Sequence, residues 1–185
     1  MIGIVLIVVV VALGLWAVAI YNGLVRRRTV VGEAWSGIEA QLKRRADLIP
    51  NLVETVKGYA AHERQTFDEL TRLRSQGQAQ TDVAQRAQTE QAITAAIGRI
   101  MAVAENYPQL RATENFQTLQ KDLAEIEDQI QLARRYYNGA VRDLNVMVQQ
   151  FPSNIIAGQT GFKTAQFFEI EDAKDRAVPK VSFAG

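Results

Sequence analysis

No cysteine occurs among the 185 residues. Disulfides, thiolate metal sites, cysteine nucleophiles and lipid attachment through an N-terminal cysteine are therefore excluded. Histidine occurs once, as His62. A lone imidazole cannot supply a Ser-His-Asp or Cys-His arrangement, nor the paired Glu-x-x-His motifs of carboxylate-bridged di-iron bundles. No strand pattern is evident and no glycine-rich loop follows one, so a nucleotide cradle is not expected. Nothing in the order of the carboxylates places two of them across a cleft, as glycosidase chemistry would need. Charge of one sign is missing too: 21 Lys and Arg face 20 Asp and Glu, a formal net charge of +1, without the basic excess of a nucleic-acid binder. These absences point away from an enzyme, and no catalytic residue, metal or cofactor is assigned.

What is present begins with a long apolar run. From Ile2 to Ile20 every residue is Ile, Val, Leu, Ala, Trp or Gly. As a helix these residues span roughly 28 Å, close to the hydrocarbon thickness of a bilayer. Trp16 and Tyr21 stand near its far end, where amphipathic rings favour the interface, and Arg26, Arg27 and Arg28 follow. A cleaved secretory signal would want a basic start, a shorter apolar stretch and a small-x-small cleavage site. Residues 1–25 are accordingly expected to form a transmembrane anchor. The arginines after the run place the N-terminus outside and the main domain in the cytoplasm.

The rest of the chain reads as helix. It is rich in Ala, Gln, Glu, Leu and Arg, and its four prolines, Pro50, Pro108, Pro152 and Pro179, act as punctuation. The first helix is expected to continue from the membrane through Trp35, Ile38 and Leu42 to about Asp47. A second starts near Pro50, a residue suited to the first helical turn, and runs to the Ser75-Gln76-Gly77 break. A third covers about Thr81 to Glu105, closed by Asn106-Tyr107-Pro108. In the fourth, Phe116, Leu119, Leu123, Ile126, Ile130, Ala133, Tyr137, Ala140, Leu144, Met147 and Phe151 recur in steps of three and four, an a/d seam of helices packed at shallow angles. The expected fold is all-α: a transmembrane helix continuing into a long antiparallel, up-and-down four-helix bundle over residues 26–170, with a flexible tail at 171–185.

Several segments carry a resemblance. Tyr21-Asn22-Gly23-Leu24-Val25, Ala34-Trp35-Ser36 and the stretch Gln41-Leu42-Lys43-Arg44-Arg45-Ala46-Asp47-Leu48-Ile49-Pro50-Asn51-Leu52-Val53 resemble the LemA family of bacterial membrane proteins. So do Lys57 to Glu63, Glu105 to Leu110, Arg134-Arg135-Tyr136-Tyr137-Asn138, Asn145 and Phe151-Pro152. The resemblance covers nearly the whole chain. It implies a bacterial cell-membrane protein with a helical-bundle domain and no established enzymatic activity. Relatives take part in forming magnetosome membranes, which implies a role in shaping or organising bilayers. Many members look lipid-anchored, and this sequence departs from them in lacking the cysteine.

Candidate structural or interaction residues follow from both readings. Arg44, Arg45, Asp47, Pro50 and Asn51 would crowd the turn between the first two helices, either capping its exposed backbone groups, the favoured reading, or forming a binding surface at the tip farthest from the membrane. His62 and Glu63 would lie at the interior end of the second helix as a satisfied polar contact, or else hold a metal. Tyr107 and Pro108 close the third helix. Tyr21-Asn22-Gly23-Leu24-Val25-Arg26 is echoed by Tyr137-Asn138-Gly139-Ala140-Val141-Arg142. In an up-and-down bundle with a common distal tip, Tyr21, Asn22, Tyr137 and Asn138 would share the membrane level, and the fourth helix would bend near Gly139, run along the bilayer or be shielded by other subunits. The expected partners are the lipid bilayer and further copies of the chain, the homo-oligomer being driven by the long seam and the Phe-rich stretch after Pro152. The function expected is that of a self-associating scaffold that organises or shapes the membrane. The alternative is an adaptor presenting one surface to an envelope protease or other membrane machinery.

Overall fold

The computed structural model describes residues 1–60 and 62–169; the expected tail at 171–185 lies outside them. Among the described residues all the regular secondary structure is helical. Its elements are α1 (Ile2–Lys57), α2 (Arg64–Ala79), α3 (Val83–Glu105), the short α4 (Pro108–Arg111), α5 (Glu114–Gln149) and α6 (Ser153–Gln159). The all-α class and the long apolar N-terminal helix agree with the sequence reading. Two compact units divide the chain. One comprises residues 1–48 and 118–167, the other residues 49–117 together with Phe168 and Glu169.

The largest difference from expectation is at Pro50. There is no turn: α1 runs through it as one 56-residue helix, and the second helix starts at Arg64 instead. A proline inside a helix costs about 3 kcal/mol. Pro50 is itself exposed, while Ile49, Leu52 and Val56 around it are almost wholly buried. Each such side chain contributes about 1.5–3 kcal/mol, so packing of this face outweighs the proline. Consequently Arg44, Arg45, Asp47 and Asn51 lie within α1 rather than at a turn. His62 and Glu63 are exposed in the link between α1 and α2; Glu63 precedes α2 without a side-chain cap bond.

In the unit built on residues 49–117, α2 and α3 form a hairpin. Asp82 caps α3, its carboxylate accepting the Gln85 N–H at 2.9 Å. Gly77 does not break α2 but lets it approach α3, since a β-carbon there would lie 3.2 Å from Glu90 Oε1 and 3.5 Å from Ile93 Cδ1. Tyr107 and Pro108 open α4, with Pro108 in its first turn.

In the other unit α1 and α5 pair antiparallel. Arg45 faces Glu127, Trp35 packs on Tyr137, and Gly23 lies against Met147. Each step down α1 is thus matched by a similar step up α5, the signature of one continuous antiparallel register. The seam of α5 supplies the core: Leu123, Ile126, Ile130, Tyr137 and Leu144 are buried, as are Leu24, Ala34, Ile38, Leu42 and Ala46 of α1. Beyond α5, Ser153 Oγ donates to the carbonyls of Met147 and Gln150 at 2.7 and 3.1 Å, closing the helix end. α6 ends on Gly161, whose φ of 74° is a left-handed conformation that other residues adopt only with strain. The Phe162 N–H returns to the Ala157 carbonyl at 3.0 Å, a Schellman closure that turns the chain back.

Candidate functional site

The apolar run and the packed unit meet at one level of α1. Every side chain from Met1 to Trp16 is exposed, and partial cover settles in only at Ile20. Ile20, Val31, Met147, Val148, Ile156 and Ala165 surround a buried cluster of Leu24, Leu144, Ala157 and Phe162. Tyr21 stands edge-on to the Phe162 ring at 5.9 Å. The Arg28 guanidinium sits 5.4 Å from the centroid of the same ring, a cation–π contact. Asn22, Arg26 and Arg27 are exposed. Gly23 lies under Met147 of α5, and a β-carbon there would lie 2.7 Å from Met147 Cε, so the tip of the methionine would have to shift.

Tyr137 does not share this level. It packs on Trp35 at 5.4 Å, and Trp35 lies about 21 Å along α1 from Tyr21. The expected alignment of the two Tyr-Asn pairs at the membrane surface is therefore wrong. Its premise was a common distal tip at Asp47, and without a turn there the register is set by side-chain packing instead. α5 continues as helix through Gly139, and with Tyr137 away from this level the three ways offered for keeping Arg142 and Asp143 out of lipid are not needed.

Tyr137 and Asn145 instead hold a strap of extended chain. The Tyr137 hydroxyl donates to the Gln166 carbonyl at 2.8 Å. The Asn145 amide donates to the Ala165 carbonyl at 2.9 Å, and its oxygen accepts the Ala165 N–H at 2.8 Å. An asparagine thus pairs with a backbone as a neighbouring strand would, satisfying two groups that would be costly to bury unpaired. Asn145 belonged to the resemblance but not to the expected sites. Its partner lies 20 residues away on an irregular segment, where no periodicity signals contact. Asn138 is half-buried beside Tyr137.

Burial pushes the Tyr137 hydroxyl above the ordinary tyrosine value of 10.0. The folded state holds the proton more tightly than the unfolded chain, so the stabilisation is complete below pH 10.0 and is lost as pH rises towards the folded value. Below that window the native chain is expected to exceed Tyr137→Phe by about 1 kcal/mol, one hydrogen bond. Above it the gap closes. Urea unfolding of both proteins in detergent across alkaline pH checks this, and a gap independent of pH would refute it.

Farther along the same pair, Arg45 is 2% exposed and its Nη1 donates to Glu127 Oε2 at 2.7 Å. Arg44 is exposed and reaches Gln41 Oε1 at 3.3 Å. Arg44, Asp47, Leu48, Asp122, Glu125 and Ile126 line an open groove of about 320 Å³. Among the described residues no group of three or more metal-ligating side chains is brought together, and His62 stands apart from the packed faces.

A family model described as the LemA family matches residues 34–183, most of the chain. Among curated proteins, the chain is 36% identical to magnetosome protein MamQ 2 of Paramagnetospirillum magneticum over 83 residues, covering 45% of this chain and 30% of that protein. It is 30% identical over the same length to magnetosome protein MamQ of Magnetospirillum gryphiswaldense. Protein LemA of Metamycoplasma hominis is 24% identical over 152 residues, 82% of this chain and 69% of that one. The chain thus spans under a third of the MamQ proteins it matches. These likenesses and the exposed apolar helix mark a membrane-associated chain.

Proposed function

Because the chain belongs to the LemA family, we propose that it is a non-catalytic, membrane-spanning scaffold of the bacterial cell membrane that self-associates to organise or shape the bilayer. The observation that carries this reading is the unbroken passage of α1 from an exposed apolar run into the helix that packs against α5. Each aliphatic side chain of that run forgoes about 1.5–3 kcal/mol in water, and a bilayer restores it without any protein partner. With no link between anchor and packed helix, α1 projects rigidly from the membrane, as suits a strut rather than a tethered enzyme. The arginines after the run set the domain in the cytoplasm. The MamQ likeness supports a role in membrane organisation.

The seam of α5 is mostly consumed inside the chain, so self-association falls to residues beside it. Leu132 and Tyr136, one turn apart on α5, are exposed. The adaptor reading draws instead on the charged groove between Arg44 and Glu125. Mass measurement of the detergent-solubilised chain separates the two. A discrete oligomer that Leu132→Asp with Tyr136→Asp dissociates is expected; a monomer would overturn the scaffold and leave the adaptor.

A further inference from the structure

We propose that the turn from α5 into α6 is a second membrane contact, in which Phe151 and Ile155 insert into the interfacial layer of the bilayer beside the end of the apolar run. This rests on the membrane-spanning reading of α1 and adds to it a lipid-binding surface built by the domain.

Phe151 is 79% exposed and Ile155 50%. The segment bearing them is not a frayed end, since Ser153 and Ala157 between and after them are buried and Ser153 is bonded to the end of α5. The fold therefore holds these two apolar side chains outward on a closed turn. Single exposed apolar residues are ordinary on any surface. What sets this pair apart is their level. Ile156, the neighbour of Ile155, packs on the same cluster as Ile20, the last residue of the apolar run. Met147 lies against Gly23, and the two further helical residues to Gln149, where α5 ends, carry the chain about 3 Å, to the level of Tyr21, with Phe151 following in the turn. A bilayer that accepts α1 up to Ile20 therefore meets Phe151 and Ile155 at its surface.

The surrounding charge suits an anionic lipid surface. Arg26, Arg27 and Arg28 stand roughly 9–12 Å beyond Ile20, the depth of the headgroups, and Lys163 is exposed on the chain leaving α6. Basic side chains at this height gain from acidic headgroups, while the aromatic and aliphatic pair occupies the apolar boundary below them. The span and the turn together make two points of attachment, which fix the rotation of α1 about its axis as a span alone would not.

The absence of native cysteine allows a direct test with the full chain. Phe151→Cys and Ile155→Cys are spin-labelled beside two references, Val10→Cys within the run and Asp128→Cys on exposed α5. Asp128 adjoins Glu127, the partner of Arg45, about 38 Å along α1 from Ile20. The proteins are reconstituted in phosphatidylcholine vesicles containing a minority of phosphatidylglycerol, and relaxation by oxygen is compared with that by a water-soluble nickel chelate. Labels at 151 and 155 are expected to favour oxygen, as label 10 does but at shallower depth, while label 128 favours nickel. Nickel access at 151 and 155 equal to that at 128 would overturn the proposal. Shielding of both labels from both reagents would overturn it too, showing that protein covers the turn. Nickel access at label 10 would instead remove the spanning reading, and this contact with it.

Discussion

Replacing Leu24 with alanine is expected to lower the unfolding free energy by about 3 kcal/mol, within the range for a leucine removed from a packed interior. Leu24 is wholly buried among Leu144, Ala157 and Phe162, where α1, α5 and the chain after α6 converge. Its neighbour Val25 is 40% exposed, so Val25→Ala should change stability by less than about 0.5 kcal/mol. The contrast between adjacent residues tests the rotation of α1, because turning the helix by one residue would exchange their roles. Urea unfolding of the full chain in mild detergent, followed by helical circular dichroism, measures both. Equal effects, or a larger one at Val25, would show that the junction packs differently.

The second large effect concerns Arg45 and Glu127. Glu127→Ala removes the counter-charge from a guanidinium almost without access to water, a loss of several kcal/mol for a fully buried pair. The Glu127 side chain is 31% exposed, and solvent screening reduces the expected loss to about 2 kcal/mol. Arg45→Met should cost less, at most about 1 kcal/mol, since a long apolar side chain can fill the site and the partly exposed carboxylate can turn to water. The same unfolding experiment decides the order. A costlier Arg45→Met than Glu127→Ala would mean that the guanidinium matters for its other contacts rather than for this pair.

Arg45 shows how position along a chain differs from position in a fold. Arg44, Arg45, Asp47, Pro50 and Asn51 look like the residues of a turn, and local propensity alone favours ending a helix before a proline. The burial of Ile49, Leu52 and Val56 is a tertiary quantity, and it exceeds the local cost. Once that turn is lost, the register of α5 cannot be obtained by measuring from it, which is why the Tyr137 level was misplaced by several helical turns. The three-four period fared better: it is local, and the burial of Leu123, Ile126, Ile130 and Leu144 follows from it whichever helix they meet, but its last member, Phe151, lies beyond the end of α5 and is exposed.

The sequence by itself determined the class of structure. An apolar run of bilayer length, a strict three-four period and the motif around Asp47 are each written in neighbouring residues, and the physics behind each acts over a turn or two of helix. Only the tertiary structure decided that α1 runs to Lys57, that Arg45 is buried against Glu127, that Asn145 and Tyr137 clasp the chain at 165–166, and that Met147 and Ile156 pack on the same cluster as Ile20. Each of these sets residues far apart in the chain against one another, and none carries a local period or propensity that would announce it. Their outcome depends on which buried faces together lower the free energy most, a sum that no single segment contains.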